Sequence, residues 1–124
     1  MTRVSVLARL RDGAPEERRV AFETIVEAYW KPVYKYLRLK WRLPPEDAED
    51  LTQGFFARAL EKDVLARYDA ARARFRTYLR LAVDGYAANE YKAGARQKRG
   101  GGRHTLSLDF AAAEGEVDRL APAV

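Results

Sequence analysis

An all-α domain is the fold class this sequence predicts. Apolar residues recur at threes and fours in segment after segment, strand-type alternation is nowhere sustained, and turn-forming Asp12-Gly13, Pro44-Pro45 and Gly100 to Gly102 fall between those segments. At 124 residues, 48% of them hydrophobic, the chain suits one small domain with a modest core. No internal repeat interrupts that reading.

The elements follow in order. Thr2 to Leu10 reads as a short leading helix with Val4, Leu7 and Leu10 on one side, closed at Asp12-Gly13. Phe22, Ile25, Val26, Tyr29, Val33 and Leu37 mark an amphipathic helix from near Pro15 to near Trp41. Pro32 lies inside it and is expected to kink or break it, because proline removes a backbone donor and crowds the preceding turn. Pro44-Pro45 stops this helix and opens the next, since proline in a first turn gives up only a donor that lacks a partner anyway. Ala48, Leu51, Phe55, Ala59 and Leu60 form the expected buried stripe of that second long helix. Asp63 to Ala73 reads as a broken turn and loop. Phe75 to about Ala95 is the third long helix, with Leu79, Ala82, Val83, Tyr86 and Ala87 inward. The expectation is thus a helical domain over residues 1–99 and a flexible linker or tail over 100–124. The glycine run is no phosphate-binding loop, having no strand before it and no Gly-Lys-Ser/Thr after it.

Composition narrows the chemistry. Without cysteine, disulfides, thiolate metal sites and cysteine nucleophiles are excluded, and the one histidine is His104. No enzyme activity, cofactor or metal is expected. No stretch approaches the roughly 20 consecutive apolar residues of a membrane span, and MTRVSVLARLRDG lacks the apolar run of a secretory signal. The expected setting is the cytoplasm, with no membrane partner.

The stretch PEDAEDLTQGFF, residues 45–56, admits three readings: a helix start, a metal site or a docking surface. Glu46, Asp47, Glu49 and Asp50 favour a helix start, each stabilised by about 0.3–1 kcal/mol at the positive end of the macrodipole. A di-metal helical site would need Glu-x-x-His pairs, which the chain cannot supply. Thr52, Gln53 and Phe56 fall outside the strict apolar stripe, leaving a polar and aromatic strip beside the acids that suits protein docking.

The net charge is +5, and it is concentrated. Arg72, Arg74, Arg76, Arg80, Lys92, Arg96, Lys98, Arg99 and Arg103 share their segment with only Asp84 and Glu90, an arrangement that attracts a polyanion. Tyr78 and Tyr91 are the aromatics least easily buried there, and cations interleaved with exposed rings suit unpaired bases. The loop from Ala66 to Arg74 could edge a pocket for a base taken out of the stack.

Three segments in order, FETIVEAYWKPVYKYLR, PEDAEDLTQGFFARALEK and RFRTYLRLAVDGYAANEYKAGARQKRGGG, resemble region 2 of bacterial RNA polymerase sigma factors. The family is sigma-70, in its extracytoplasmic-function subgroup, and the resemblance runs from about Phe22 to Gly102. It implies a region 2-like bundle of three main helices plus a short N-terminal one. The implied function is to bind core RNA polymerase and to recognise and melt the promoter −10 element. Asp50 and Gln53 map onto contacts with the clamp helices of the largest β-type subunit, with Glu49, Phe56 and Arg58 on the same strip. Arg74, Arg76, Tyr78, Arg80, Lys92, Arg96, Lys98 and Arg99 map near melted promoter DNA. An anti-sigma protein is a further partner that the resemblance raises.

Two departures from the family pattern stand out. Gly54 occupies a position where Glu is common, and Val83-Asp84-Gly85 replaces a frequent Ala-Arg-Asn. Asp84 is expected to face solvent or to pair with Arg80, four residues away. The family's second domain, which reads the −35 element, has no counterpart before Val124, and HTLSLDFAAAEGE resembles the start of the interdomain linker, so an excised first domain is expected. The alternative is a regulatory interaction module that keeps the docking face without opening DNA.

Overall fold

The computed structural model describes residues 3–92 and 108–120. Within them lie five α-helices: α1 (Arg3–Asp12), α2 (Pro15–Leu39), α3 (Pro45–Glu61), α4 (Phe75–Lys92) and α5 (Phe110–Leu120), with a 3-10 turn at Leu65–Arg67. No strand occurs among the described residues, so the all-α class holds.

The long helix α2 is the hub, with α1, α3 and α5 packed on it. Pro15 begins it, Glu16 and Glu17 fill its first turn, and the Glu17 carboxylate accepts from the Ala14 N–H at 3.0 Å. Its core residues include Phe22, Ile25, Tyr29, Val33, Tyr34 and Leu37, a band wide enough to serve neighbours on several sides. Burying each such side chain contributes about 1.5–3 kcal/mol. The helix runs unbroken through Pro32, so of the two expected outcomes, a kink or a break, the break does not occur. Pro32 sits on the exposed side while Tyr29, Trp30, Val33 and Tyr34 around it are all buried, so tertiary packing outweighs the missing backbone bond.

Two termini are closed by left-handed residues. Arg42 has φ 56° just beyond α2, and Asp63 has φ 54° just beyond α3. At the end of α3 the Val64 N–H donates to the Ala59 carbonyl (3.0 Å) and the Asp63 N–H to that of Leu60 (3.4 Å), which is the Schellman pattern with Asp63 in glycine's usual place. The Arg18 guanidinium lies 3.4 Å from the Asp63 carboxylate, tying that turn back to α2.

The buried stripe of α3 is broader than expected and displaced. Ala48, Leu51, Thr52, Phe55, Phe56 and Ala59 are buried, whereas Leu60 is 47% exposed. Phe56 and Thr52 are both fully inaccessible, and Thr52 satisfies its hydroxyl by donating to the Ala48 carbonyl at 2.7 Å. A helix lying between α2 and α4 must present apolar surface to both, so a single narrow stripe cannot suffice.

The other departure is α5. The segment expected to be flexible includes an ordered helix over Phe110–Leu120 packed on α2. Asp109 starts it, its carboxylate accepting from the Ala112 N–H at 3.1 Å. Ala113 and Val117 are buried beneath it.

Candidate polymerase-docking and nucleic-acid-binding faces

The acidic start of α3 presents the first candidate face. Glu46, Asp47 and Asp50 are exposed and Glu49 and Gln53 are half-buried, and their spacing of threes and fours gathers them on one side of the helix. Arg58 is exposed further along. Among the described residues no side-chain hydrogen bond or ion pair engages Glu49, Asp50, Gln53 or Arg58. Phe56 and Thr52 do not belong to this strip: both are fully buried in the core.

Gly54 lies beside Gln53, and its lack of a side chain has a structural cause. The Tyr86 ring from α4 crosses it so closely that a Cβ there would stand 2.2 Å from the Tyr86 hydroxyl and 3.3 Å from Cζ. The same ring packs edge-on to Phe55, with centroids 6.0 Å apart. A side chain at this position therefore requires Tyr86 to shift. Gly54→Ala is expected to cost about 1–3 kcal/mol by overpacking, although alanine alone would favour the helix by about 1 kcal/mol. In a Tyr86→Phe background, where the obstructing oxygen is gone, the same change should cost little or stabilise. Urea denaturation of the four proteins gives the coupling directly, and equal costs in both backgrounds would show that the hydroxyl is not the obstacle.

The second candidate face is the basic side of α4 and the loop before it. Arg74, Arg76 and Arg80 are exposed, and no carboxylate pairs with them among the described residues. The nearby Asp84 is already engaged. It accepts from the Tyr36 hydroxyl (2.8 Å) and from Trp41 Nε1–H (2.9 Å), so it neither faces solvent nor pairs with Arg80 as expected, and instead binds α4 to the end of α2. Burial, and then the bond to Asp84, raise the Tyr36 phenol above its ordinary pKa.

Tyr78 is also committed. Its hydroxyl donates to the Val64 carbonyl at 2.6 Å and its ring is half-buried, which raises its phenol pKa through desolvation. It belongs to an aromatic group: Tyr68 lies 5.3 Å from Tyr78 and 5.2 Å from Phe75, and Phe75 lies 5.2 Å from Tyr29. The Tyr68 hydroxyl donates to the Ala73 carbonyl at 2.6 Å. Together these contacts hold the loop between α3 and α4, so Tyr78 is a prop for that loop and not an open platform for a base. The side chains of Tyr91 and Lys92, and all of Arg96, Lys98, Arg99 and Arg103, lie outside the described residues.

Sequence reasoning missed the contacts between α5 and α2. Glu114 accepts from Arg38 Nε (2.7 Å) and from the Tyr34 hydroxyl (2.7 Å), and Glu116 pairs with Lys31 (2.8 Å) and Lys35 (2.6 Å). Those two lysines bring the Glu116 carboxyl down to about 2, while burial and the bond to Glu114 push the Tyr34 phenol up to about 12.

Among the described residues no cluster of His, Cys, Asp and Glu suits a metal ion, and no helix is long and apolar enough to cross a membrane. Compared with known proteins, the chain matches no family model, no curated protein and no solved structure. The functional reading therefore rests on the two faces of α3 and α4 and on the sequence resemblance.

Proposed function

We propose that the chain is a sigma region 2-type domain: a non-enzymatic subunit that docks on core RNA polymerase through α3 and supports promoter −10 DNA through α4. The observation that carries the reading is the strip Glu49, Asp50 and Gln53. These polar groups sit together on one side of the helix, are exposed or half-exposed, and have no side-chain hydrogen bond or ion pair among the described residues. A helix start alone requires acids in its first turn but not Gln53 two turns in. Core binding involves the exposed Asp50 and Arg58 and the half-buried Glu49 and Gln53, and leaves Phe56 to the core.

Asp50→Ala and Gln53→Ala are each expected to weaken binding to purified core RNA polymerase by about 1 kcal/mol or more, the scale of an interface hot spot. Thermal unfolding of both variants should stay within about 0.5 kcal/mol of wild type, as for surface changes generally. Undiminished polymerase binding by both variants would remove the docking role. On the DNA side, replacing Arg76 and Arg80 with Ala should lower single-strand affinity and reduce its salt slope by about 0.7 for each phosphate no longer neutralised. One observation favours the alternative, a docking module that does not open DNA: Tyr78 is held by Val64. Loss of polymerase binding in the α3 variants, with no effect of the α4 arginines on promoter opening, would select that alternative.

A further inference from the structure

The contact between α5 and α2 is a match of shape and charge. Phe110 stands edge-on to Trp30 at 5.0 Å and tilted to Tyr34 at 5.3 Å, and Ala113 and Val117 are buried beside them. Lys31, Lys35 and Arg38 recur every three or four residues along the same side of α2 and meet Glu114 and Glu116. The face thus accepts a helix with apolar residues at i, i+3 and i+7 and carboxylates at i+4 and i+6.

The helix that fills it is short and depends on its seat in two respects. Its 11 residues are too few to be helical on their own in water, so docking and helix formation are coupled. Only Ala113 and Val117 are buried, and the Lys31, Lys35 and Arg38 pairs are partly exposed and hence weakened by salt. Contacts of this kind can be exchanged for equivalent ones offered by another chain.

We propose that this face of α2 is a binding surface for an acidic amphipathic helix of a partner protein, and that α5 is its internal occupant, displaced when the partner binds. The face suits a helix better than a nucleic acid. Its centre is apolar, since Trp30 and Tyr34 are buried while α5 is seated. Its cations flank that centre one turn apart, where the carboxylates of a helix fall. The inference stands apart from the polymerase reading, which uses other faces of the bundle. Occupation in cis reduces the apparent affinity of a partner by the fraction of time the face is open, so α5 acts as a threshold on recruitment.

The probe is a fluorescent synthetic peptide of residues 108–120, titrated into the full chain. Val117→Asp places a charge in the buried contact and should release α5, whereas Glu114→Lys with Glu116→Lys releases it by repulsion without touching the apolar positions. Both released forms are expected to bind the peptide at least about tenfold more tightly than wild type, whose face is occupied. Adding Lys31→Glu and Lys35→Glu to the Val117→Asp chain should abolish the gain. Equal binding by wild type and the released forms, or binding by none of them, overturns the proposal. So does a gain for single-stranded oligothymidine in place of the peptide, which would make the face a nucleic-acid surface shielded by α5.

Discussion

Phe56→Ala is expected to lower the unfolding free energy by about 3–5 kcal/mol, the range for a large aromatic removed from a closed core. Phe56 has no exposed surface, its ring is 5.1 Å from that of Phe55 in an edge-on pair, and α3 packs against both α2 and α4. Truncation therefore removes the transfer free energy of the ring and leaves a cavity that two helices must close. Phe56→Leu, which refills most of the volume, should recover a large part of the loss. The comparison also separates core from interface. If α3 docks on polymerase as proposed, Phe56→Leu should bind like wild type under conditions where it is fully folded, whereas Gln53→Ala should not. A Phe56→Leu protein of near-native stability that fails to dock would return Phe56 to the interface. Chemical denaturation and a polymerase titration on the same preparations decide the matter.

The burial of Phe56 shows where sequence reading stops. Helix periodicity gives the direction of a face but not its width, and width depends on how many neighbours a helix has. With one neighbour, α3 could bury Ala48, Leu51, Phe55 and Ala59; lying between two, it buries Thr52 and Phe56 as well. The starts of α2 and α3 were legible because Pro15 and Pro45 mark them through backbone chemistry alone. The α5 helix had a local signal too, in the spacing of Phe110, Ala113 and Val117 behind Asp109, but it was masked by the glycine run before it. The basic partners of its acids, Arg38, Lys31 and Lys35, lie 76 to 85 residues away, and no local pattern announces such a pairing. Of the candidate faces, Asp50, Gln53, Arg76 and Arg80 could be placed on helix exteriors from spacing, whereas the commitment of Tyr78 and Asp84 to tertiary hydrogen bonds could not.

Asp84→Ala should destabilise the domain by about 2–4 kcal/mol, because it strands two donors at once. The Tyr36 hydroxyl and the Trp41 indole N–H both point at this carboxylate, and each is on a half-buried side chain. A donor left without its acceptor costs about 1–3 kcal/mol, with part of that recovered wherever water can enter. Asp84→Asn keeps a carbonyl acceptor and should lose less. Combining Asp84→Ala with Tyr36→Phe should cost less than the sum of the two single changes, since one stranded donor is removed with its acceptor. The same residue tests the electrostatics of α4. If Asp84 merely repelled phosphate, neutralising it would strengthen DNA binding by the folded protein. If α4 binds single-stranded DNA through Arg76 and Arg80 as proposed, then with the Asp84 charge committed to Tyr36 and Trp41 the expected result for Asp84→Asn is an unchanged affinity. A clear gain in affinity at constant stability would show that the carboxylate faces the DNA and that its bonds to α2 are secondary.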